Sequence, residues 1–197
     1  AHDLYLSKEE SRFLPKIINA KPLNRVEIKL PIDPYILGYW LGDGTSVAGS
    51  ITAQNKDFWK EVEQRGYKYG ENISGENRTE LRTIFGLRTE LNKLGLINNK
   101  HVPVCYLMSS YNQKLDLLRG FMDADGYYNP KRKRFVMATT RENQADYLVS
   151  LLSTMGVKST KIYAKKYCNN KVFDGWDVCF TMLDNPFLIR NQEGIEY

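Results

Sequence analysis

Residues 118–126 read LRGFMDADG, and this stretch has a counterpart at residues 36–44, which read ILGYWLGDG. Each stretch is an apolar run that contains one glycine and ends in an acidic residue followed by a second glycine. Such runs predict two helices that end at the final glycines. One such segment is typical of any helix end. Two in one chain indicate a duplicated fold with Asp43 and Asp125 at its centre.

The residues that follow each motif repeat as well. Residues 46–54 alternate between apolar and polar side chains, which predicts a strand with one polar face, and residues 56–65 have the apolar spacing of a helix. In the second half, residues 134–139 predict a strand. Thr139 and Glu142 then form a predicted capping box for a helix that ends at Gly156.

Each half continues with a polar, β-prone hairpin, predicted over residues 67–85 and 158–182. A helix over residues 87–94 closes the first half. The repeated order predicts an α+β protein with two pseudo-symmetric αββαββα subdomains, each with an antiparallel sheet and with helices on one side only. The expected boundaries are an N-terminal extension at 1–30, a first subdomain at 31–108 and a second subdomain at 109–197.

The composition excludes several classes of protein. Three cysteines without a CxxC pair argue against a disulfide framework and a cysteine zinc site, and two histidines leave little room for histidine-based metal nucleases. No apolar run approaches the roughly 18 residues of a membrane span, and no signal peptide is visible. We therefore expect an intracellular, non-secreted protein, located in the cytoplasm or nucleoid or in the compartment of its host genome. The net charge of +5 favours nucleic acid only if the basic residues share a face.

The two terminal acids lie where an anion is disfavoured. Asp43 and Asp125 fall at the C-terminal ends of their predicted helices, where the helix dipole is negative, and they repel each other if the helices pack side by side. Gly38 and Gly120 would permit that close packing. Divalent cations such as Mg²⁺ would compensate for both effects. The alternative is that each Asp-Gly pair only begins a turn.

Residues 118–126 resemble the LAGLIDADG signature of the homing endonucleases, and residues 36–44 resemble a more divergent copy. The earlier acid of the motif is Asp123 in the second copy but Leu41 in the first. Two copies in one chain resemble the monomeric, double-motif members. Residues 98–103 resemble the linker between motifs in intein-encoded members. Position 1 lacks a splicing nucleophile and the chain ends in Tyr197, so self-splicing is not expected.

The resemblance implies two antiparallel sheets that form a DNA-binding saddle, with the motif helices at the interface between the halves. It implies that Asp43 and Asp125 are catalytic and bind metal, together with Gly42 and Ala124. The implied metal is Mg²⁺, with Mn²⁺ or Ca²⁺ able to substitute for binding. Lys100 matches a lysine that assists catalysis, and Arg190 lies near the corresponding place in the second half. Members cut both strands of a long double-stranded DNA site and leave 3′ overhangs.

The polar faces of the predicted strands supply candidate DNA contacts. A basic run after the second motif is a further candidate, for which a solvated turn or a localisation signal are the alternatives. The candidates in the first half are Ser46, Ser50, Thr52, Gln54, Arg78, Glu80 and Arg82. Those in the second half are Lys131, Arg132, Lys133, Arg134, Lys161, Tyr163, Lys165 and Tyr167.

Three functions fit these patterns. The favoured one is a site-specific, metal-dependent DNA endonuclease, because binding alone does not need both Asp43 and Asp125. The alternatives are an RNA maturase and a non-cleaving DNA-binding protein on the same fold.

Overall fold

The computed structural model describes residues 20–23, 25–74, 79–168 and 171–190, and of residues 166–168 and 171 it describes the backbone only. Six helices and six strands are defined within these residues. In chain order they are α1 (Pro34–Asp43), β1 (Ser50–Ala53), α2 (Asp57–Gln64), β2 (Glu80–Thr83), α3 (Leu87–Lys93), α4 (Val104–Leu107), α5 (Tyr111–Asp125), β3 (Gly126–Asn129), β4 (Arg134–Thr139), α6 (Glu142–Thr154), β5 (Ser159–Cys168) and β6 (Lys171–Phe180). Arg78 and the terminal residues 1–19 and 191–197 lie outside the described residues.

The two motif helices begin at side-chain caps that the sequence predicts. The Asp33 carboxylate accepts from the backbone N–H groups of Tyr35 at 2.9 Å and Ile36 at 3.2 Å, and Pro34 occupies the first turn of α1. Ser110 and Gln113 form the predicted capping box at the start of α5. Both helices end at the predicted acid, with Gly44 and Gly126 as their C-caps. The predicted helices are therefore confirmed.

Two glycines allow α1 and α5 to pack with their backbones in contact. A Cβ atom at Gly38 would lie 2.1 Å from the carbonyl oxygen of Leu117, and one at Gly120 would lie 2.1 Å from that of Tyr35. No other residue type fits at so close an approach. The helices lie at the centre of a single hydrophobic core that includes side chains from both halves.

The second half contains a four-stranded antiparallel sheet in the order β3-β4-β6-β5. Phe135, Met137, Val178 and Phe180 point from one face of this sheet into the core, where they meet the apolar side of α6. Because side chains alternate along a strand, their neighbours face the opposite side. That side, which we call the open face, has no helix from the described residues packed on it.

The first half keeps the pairing order of the second, but only two of its four segments are strands. Hydrogen bonds from the Gly70 N–H to Thr83 O (2.9 Å) and from the Phe85 N–H to Lys68 O (2.8 Å) place residues 68–73 beside β2. A bridge between Gly44 and Ile51 places the end of α1 beside β1. The prediction of four full strands in this half is wrong. One reason is that the side-chain oxygen of Asn72 accepts the Leu81 N–H at 3.0 Å, in place of a backbone carbonyl.

The last described segment is not the helix that exact duplication would give. Residues 181–190 form no helix, and they pack back against α5 with Phe187 in the core. The α+β fold class with two antiparallel sheets is confirmed, whereas the predicted seventh element of the second half is not found up to Arg190. Across the described ranges, every helix is too short or too polar to cross a membrane.

Candidate functional site

Asp43 and Asp125 meet where the C-terminal ends of α1 and α5 touch. A Cβ atom at Gly42 would lie 2.5 Å from the Ala124 Cβ and 3.2 Å from the Asp125 Oδ2. Any side chain at Gly42 would therefore crowd the opposite carboxylate. Both acids line a cleft of about 330 Å³, together with Lys100 and residues at the start of α6.

The electrostatics of the pair are unfavourable without a cation. Burial and the neighbouring Asp125 raise the pKa of Asp43 to about 7. Desolvation by the surrounding protein also raises the pKa of Asp125, although the residue as a whole is exposed. Three cations oppose the rise for Asp125: Lys100, Arg190 and Arg141. Among the described residues, neither carboxylate accepts a hydrogen bond, so their oxygens are free for another ligand.

Lys100 caps the carbonyl end of α1. Its buried ammonium lies 2.7 Å from Trp40 O and 2.6 Å from Gly44 O, with Leu41 O at 3.2 Å and Gly42 O at 3.3 Å. It also lies over the Trp40 ring, 4.7 Å from the centroid. Burial and Arg141 lower the pKa of Lys100 to about 8, against the opposite effect of the two carboxylates. The ammonium thus offsets the negative end of the helix dipole beside Asp43.

Arg190 occupies the equivalent position on α5. Its guanidinium donates from Nη2 to Ala124 O at 2.8 Å and from Nη1 to Gly126 O at 2.9 Å. The two motif helices therefore each end in an acid whose neighbouring carbonyls are capped by a cation from a distant segment. The capping cation is a lysine in one half and an arginine in the other.

We expect Lys100→Met to lower the free energy of unfolding by about 1–3 kcal/mol, because carbonyls at the end of α1 would lose their buried donor. Chemical denaturation measures this directly. The matched control is Lys93→Met, since Lys93 is a helical lysine that pairs with Glu90 at the surface, with 65% of its side chain exposed. Equal stability of the two variants would show that Lys100 does not hold the end of α1.

Sequence patterns missed three polar residues that line the cleft: Thr139 at the end of β4, Arg141 in the following turn and Gln144 in α6. Gln144 donates from Nε2 to Leu41 O at 3.0 Å, and its Oε1 accepts from the Thr139 hydroxyl at 2.7 Å. Thr139 also accepts from the backbone N–H of Arg141 at 3.1 Å. Since Arg141 is the N-cap residue and makes no side-chain cap, the predicted Thr139–Glu142 capping box is wrong. In the sequence these residues appear only as a cluster of polar side chains before a helix, and that pattern does not predict a cleft.

The predicted DNA contacts in the first half lie on opposite faces of the β1–β2 pair. Ser50 and Thr52 point away from the core, and the Ser50 hydroxyl bonds to that of Thr83 at 2.7 Å. Glu80 and Arg82 share the other face with Ile51, and the Arg82 guanidinium lies 5.1 Å from the centroid of the Tyr69 ring. Ser46 and Gln54 lie in the turns that flank β1.

The polar face of β5 is the side that α6 partly covers. The Lys161 ammonium bonds to Glu142 at 3.1 Å and also to Asp146, both of which lie on α6. Tyr163 and Lys165 lie on the same side and both bond to Asp174. Lys161 therefore lies on the side of the sheet opposite the open face. Tyr167 shares this register in β5, and its side chain is outside the described part.

The basic run after α5 divides between a turn and a strand. Lys131, Arg132 and Lys133 are exposed in the turn between β3 and β4, and Lys133 has a φ of 47°. Arg134 begins β4 on the open face, where it lines a smaller cleft with Lys158 and Thr160. Its buried Nε lacks a hydrogen-bond partner among the described residues. This run places four cations in the β3–β4 hairpin, which begins directly after Asp125.

The donor set at the centre fits Mg²⁺. Mg²⁺ is usually held by one or two carboxylates, with waters and substrate phosphates completing its coordination. Two unpartnered carboxylates at the touching helix ends meet that requirement. The described residues contain no cluster of three or more His, Cys, Asp or Glu side chains of the kind that holds a metal without a substrate. The carbonyls of Gly42 and Ala124 already accept from Lys100 and Arg190.

Comparison with known proteins identifies the fold. Residues 112–184 match the family model described as a LAGLIDADG-like domain. The structure is similar to that of the homing endonuclease I-DmoI in complex with DNA and Mn, with a TM-score of 0.51 and 16% identity over 77% of this chain and 89% of the other. The complex of I-DmoI with DNA and Ca gives a TM-score of 0.50 at 16% identity, over 77% of this chain and 83% of the other. This chain therefore has the LAGLIDADG homing endonuclease fold.

A sequence relative is the replicative DNA helicase DnaB of Mycobacterium intracellulare. It is 33% identical over 118 residues, which are 59% of this chain. The aligned region spans only 18% of the length of that helicase.

Proposed function

We propose that this protein is a site-specific endonuclease that hydrolyses both strands of double-stranded DNA with the help of a divalent metal and leaves 3′ overhangs. One observation carries the proposal. Asp43 and Asp125 lie side by side at the touching ends of two helices, where burial and the neighbouring Asp125 disfavour the charge on Asp43, and no described residue bonds to the oxygens of either carboxylate. A protein that only binds nucleic acid has no use for such a pair.

Mg²⁺ is the proposed metal, held by Asp43 and Asp125, with Mn²⁺ or Ca²⁺ able to take its place for binding. The metals named with the I-DmoI–DNA complexes, Mn and Ca, support a divalent cation in this fold. When bound, such a cation activates water and stabilises the charge that develops on the phosphodiester. The carbonyls of Gly42 and Ala124 would contribute through their remaining lone pairs.

The chain's own cations would bind and orient the phosphates beside the metal. Lys100 and Arg190 are fixed on the two helix ends, so each places positive charge beside one carboxylate. Arg141 adds a third cation to the cleft. Arginine remains protonated and stabilises phosphate charge, whereas lysine can also exchange a proton. We therefore propose that Lys100 assists the cut of one DNA strand and Arg190 the cut of the other.

DNA is proposed to lie along the open face of the four-stranded sheet and along the face of the β1–β2 pair that carries Ser50 and Thr52. The candidates on this side are Ser50 and Thr52 in the first half and Arg134 in the second, with the turn residues 131–133 beside them. I-DmoI, which has a similar fold, forms a complex with DNA. Because β5 and β6 each contain ten residues while β1 and β2 contain four, the second half would extend farther along a long recognition site.

A monomer is the proposed active form, because one chain supplies both carboxylates and both capping cations. The match to a fraction of a replicative helicase is what an endonuclease segment inserted into a helicase gene would give, as in an intein. An RNA maturase or a non-cleaving DNA-binding protein remains the alternative function, and the arrangement of Asp43 and Asp125 does not favour it.

Binding should weaken steeply with salt, because phosphate contacts release counterions from DNA. Between 50 and 200 mM salt we expect a loss of affinity of about a thousandfold, as is typical for six or more phosphate contacts. Arg134→Gln should reduce the slope of log affinity against log salt concentration by about one, because one fewer counterion is released. Lys60→Gln, at an exposed lysine of α2 that pairs with Asp57, should leave it unchanged. A flat salt dependence of the wild type would contradict the proposed DNA surface.

A further inference from the structure

The buried carboxylate of Asp123 connects α5 to the segment that carries Arg190. Asp123 is 1% exposed. Its Oδ2 accepts from the Tyr35 hydroxyl at 3.0 Å and from the backbone N–H groups of Leu188 at 3.0 Å and Ile189 at 3.1 Å. Its Oδ1 accepts from the backbone N–H of Arg190 at 3.3 Å.

These bonds fix the point from which the Arg190 side chain extends. The segment 188–190 has no regular secondary structure, so the Asp123 carboxylate supplies the acceptors that a helix or sheet would otherwise provide. From this anchored backbone the guanidinium reaches Ala124 O and Gly126 O, on either side of Asp125. The Asp123 carboxylate is therefore connected, through the backbone and side chain of Arg190, to the carbonyls on both sides of Asp125.

The first half has no equivalent of this connection. The residue that matches Asp123 is Leu41, whose side chain is buried in the core. Lys100 reaches the end of α1 from residues 98–100, and the Asn98 N–H donates to Ser46 O at 2.8 Å instead. The two capping cations are thus held by different means, one through a carboxylate and one through a loop.

We propose that Asp123 is a positioning residue that fixes Arg190 at the metal-binding end of α5, so that cleavage of one DNA strand depends on Asp123 while cleavage of the other strand does not. This inference rests on the proposed endonuclease function. It separates the two capping cations: Lys100 caps the carbonyls beside Asp43, and Asp123 acts through Arg190 on the carbonyls beside Asp125.

Asp123→Asn is a selective perturbation of this arrangement. The amide oxygen can keep the position of Oδ2, where three donors converge, so the fold retains most of its bonds. The amide NH₂ then replaces Oδ1 and faces the Arg190 N–H, which loses its acceptor. The matched control is Asp116→Asn, the same change on the same helix, at a carboxylate that contacts Arg119 and Arg65 instead.

The test uses a cleavable target recovered from a DNA library, with each strand labelled separately, and the 197-residue chain in Mg²⁺. We expect Asp123→Asn to slow the cut of one strand by about 10- to 100-fold, the effect of a small misplacement, and to leave the other cut within about twofold. Arg190→Met should slow the same strand, and Lys100→Met the opposite one. Asp116→Asn should slow neither. Equal slowing of both strands by Asp123→Asn, or by Arg190→Met, would overturn the inference.

Amide hydrogen exchange provides a readout that does not need cleavage. In Asp123→Asn the Arg190 amide should exchange at least about tenfold faster than in the wild type, while amides within α5 keep their protection. Unchanged exchange at Arg190 would overturn the positioning role. If the wild type cuts no DNA, the proposed endonuclease function fails, and this exchange measurement still decides whether Asp123 holds the segment.

Discussion

Asp43→Asn and Asp125→Asn are each expected to abolish cleavage of both DNA strands, with a loss of at least about a thousandfold in rate. The reason is that the two carboxylates form one composite site, and a bound metal contributes several kcal/mol to the stabilisation of the transition state, where each 1.4 kcal/mol is about tenfold. The change keeps the shape of the side chain while it removes the charge. Cleavage of labelled target DNA in Mg²⁺ measures the loss.

Affinity and stability separate this effect from a general loss of structure. Phosphate contacts elsewhere on the protein supply most of the binding, so the dissociation constant for target DNA should change by less than about tenfold. Both variants should be at least as stable as the metal-free wild type, because the substitution removes one of two carboxylates that repel each other. Asp57→Asn, at a helical aspartate that pairs with Lys60, is the control. Cutting at the wild-type rate by either variant would contradict the metal assignment.

Gly120→Ala is expected to lower the free energy of unfolding by about 3 kcal/mol, the upper range for an overpacked core. A Cβ atom at this position would lie 2.1 Å from Tyr35 O and 2.6 Å from Tyr39 N. Both are backbone atoms of α1, so no side-chain rotation can relieve the overlap and the helices must separate. The better helix propensity of alanine offsets only about 1 kcal/mol.

Chemical denaturation of Gly120→Ala and of a control glycine variant tests the packing. Gly70→Ala is the control, because its Cβ would make only ordinary contacts, the nearest at 3.7 Å from the Phe85 ring. For a protein of this size, 3 kcal/mol corresponds to a fall in Tm of about 6–12 °C. Since separation of α1 from α5 also moves Asp43 from Asp125, cleavage should fall as well. If Gly120→Ala proved as stable as Gly70→Ala, the helices would not pack as described.

The sequence predicted those features that depend on local chemistry. Asp33-Pro34 and the Ser110–Gln113 capping box specify where α1 and α5 begin, since a cap involves residues within one turn. The duplicated motif predicted that Asp43 and Asp125 meet, because two copies of one helix in a pseudo-symmetric fold share an interface. Gly38 and Gly120 predicted the close approach, since no side chain separates the backbones there.

Features that depend on distant partners were not predictable. Alternation along β5 shows that Lys161, Tyr163 and Lys165 share a face, but it does not show which face a helix covers. The register with β6 determines that, because Lys161 lies opposite Val178, whose side chain is in the core, and Glu142 and Asp146 on α6 then pair with Lys161. In the same way, Gln144 contributes to the cleft only because Leu41 O lies beside it, in a segment far away in the chain.

The most direct test of the composite site is cleavage of a randomised double-stranded DNA library in Mg²⁺, with sequencing of the ends of both strands. The wild type should produce one long recognition site cut on both strands with 3′ overhangs, and it should produce none when the metal is chelated. Asp43→Asn and Asp125→Asn should yield no cleaved site under the same conditions. Failure of the wild type to cut with any divalent metal, or the same cleaved site from both Asn variants, would contradict the account.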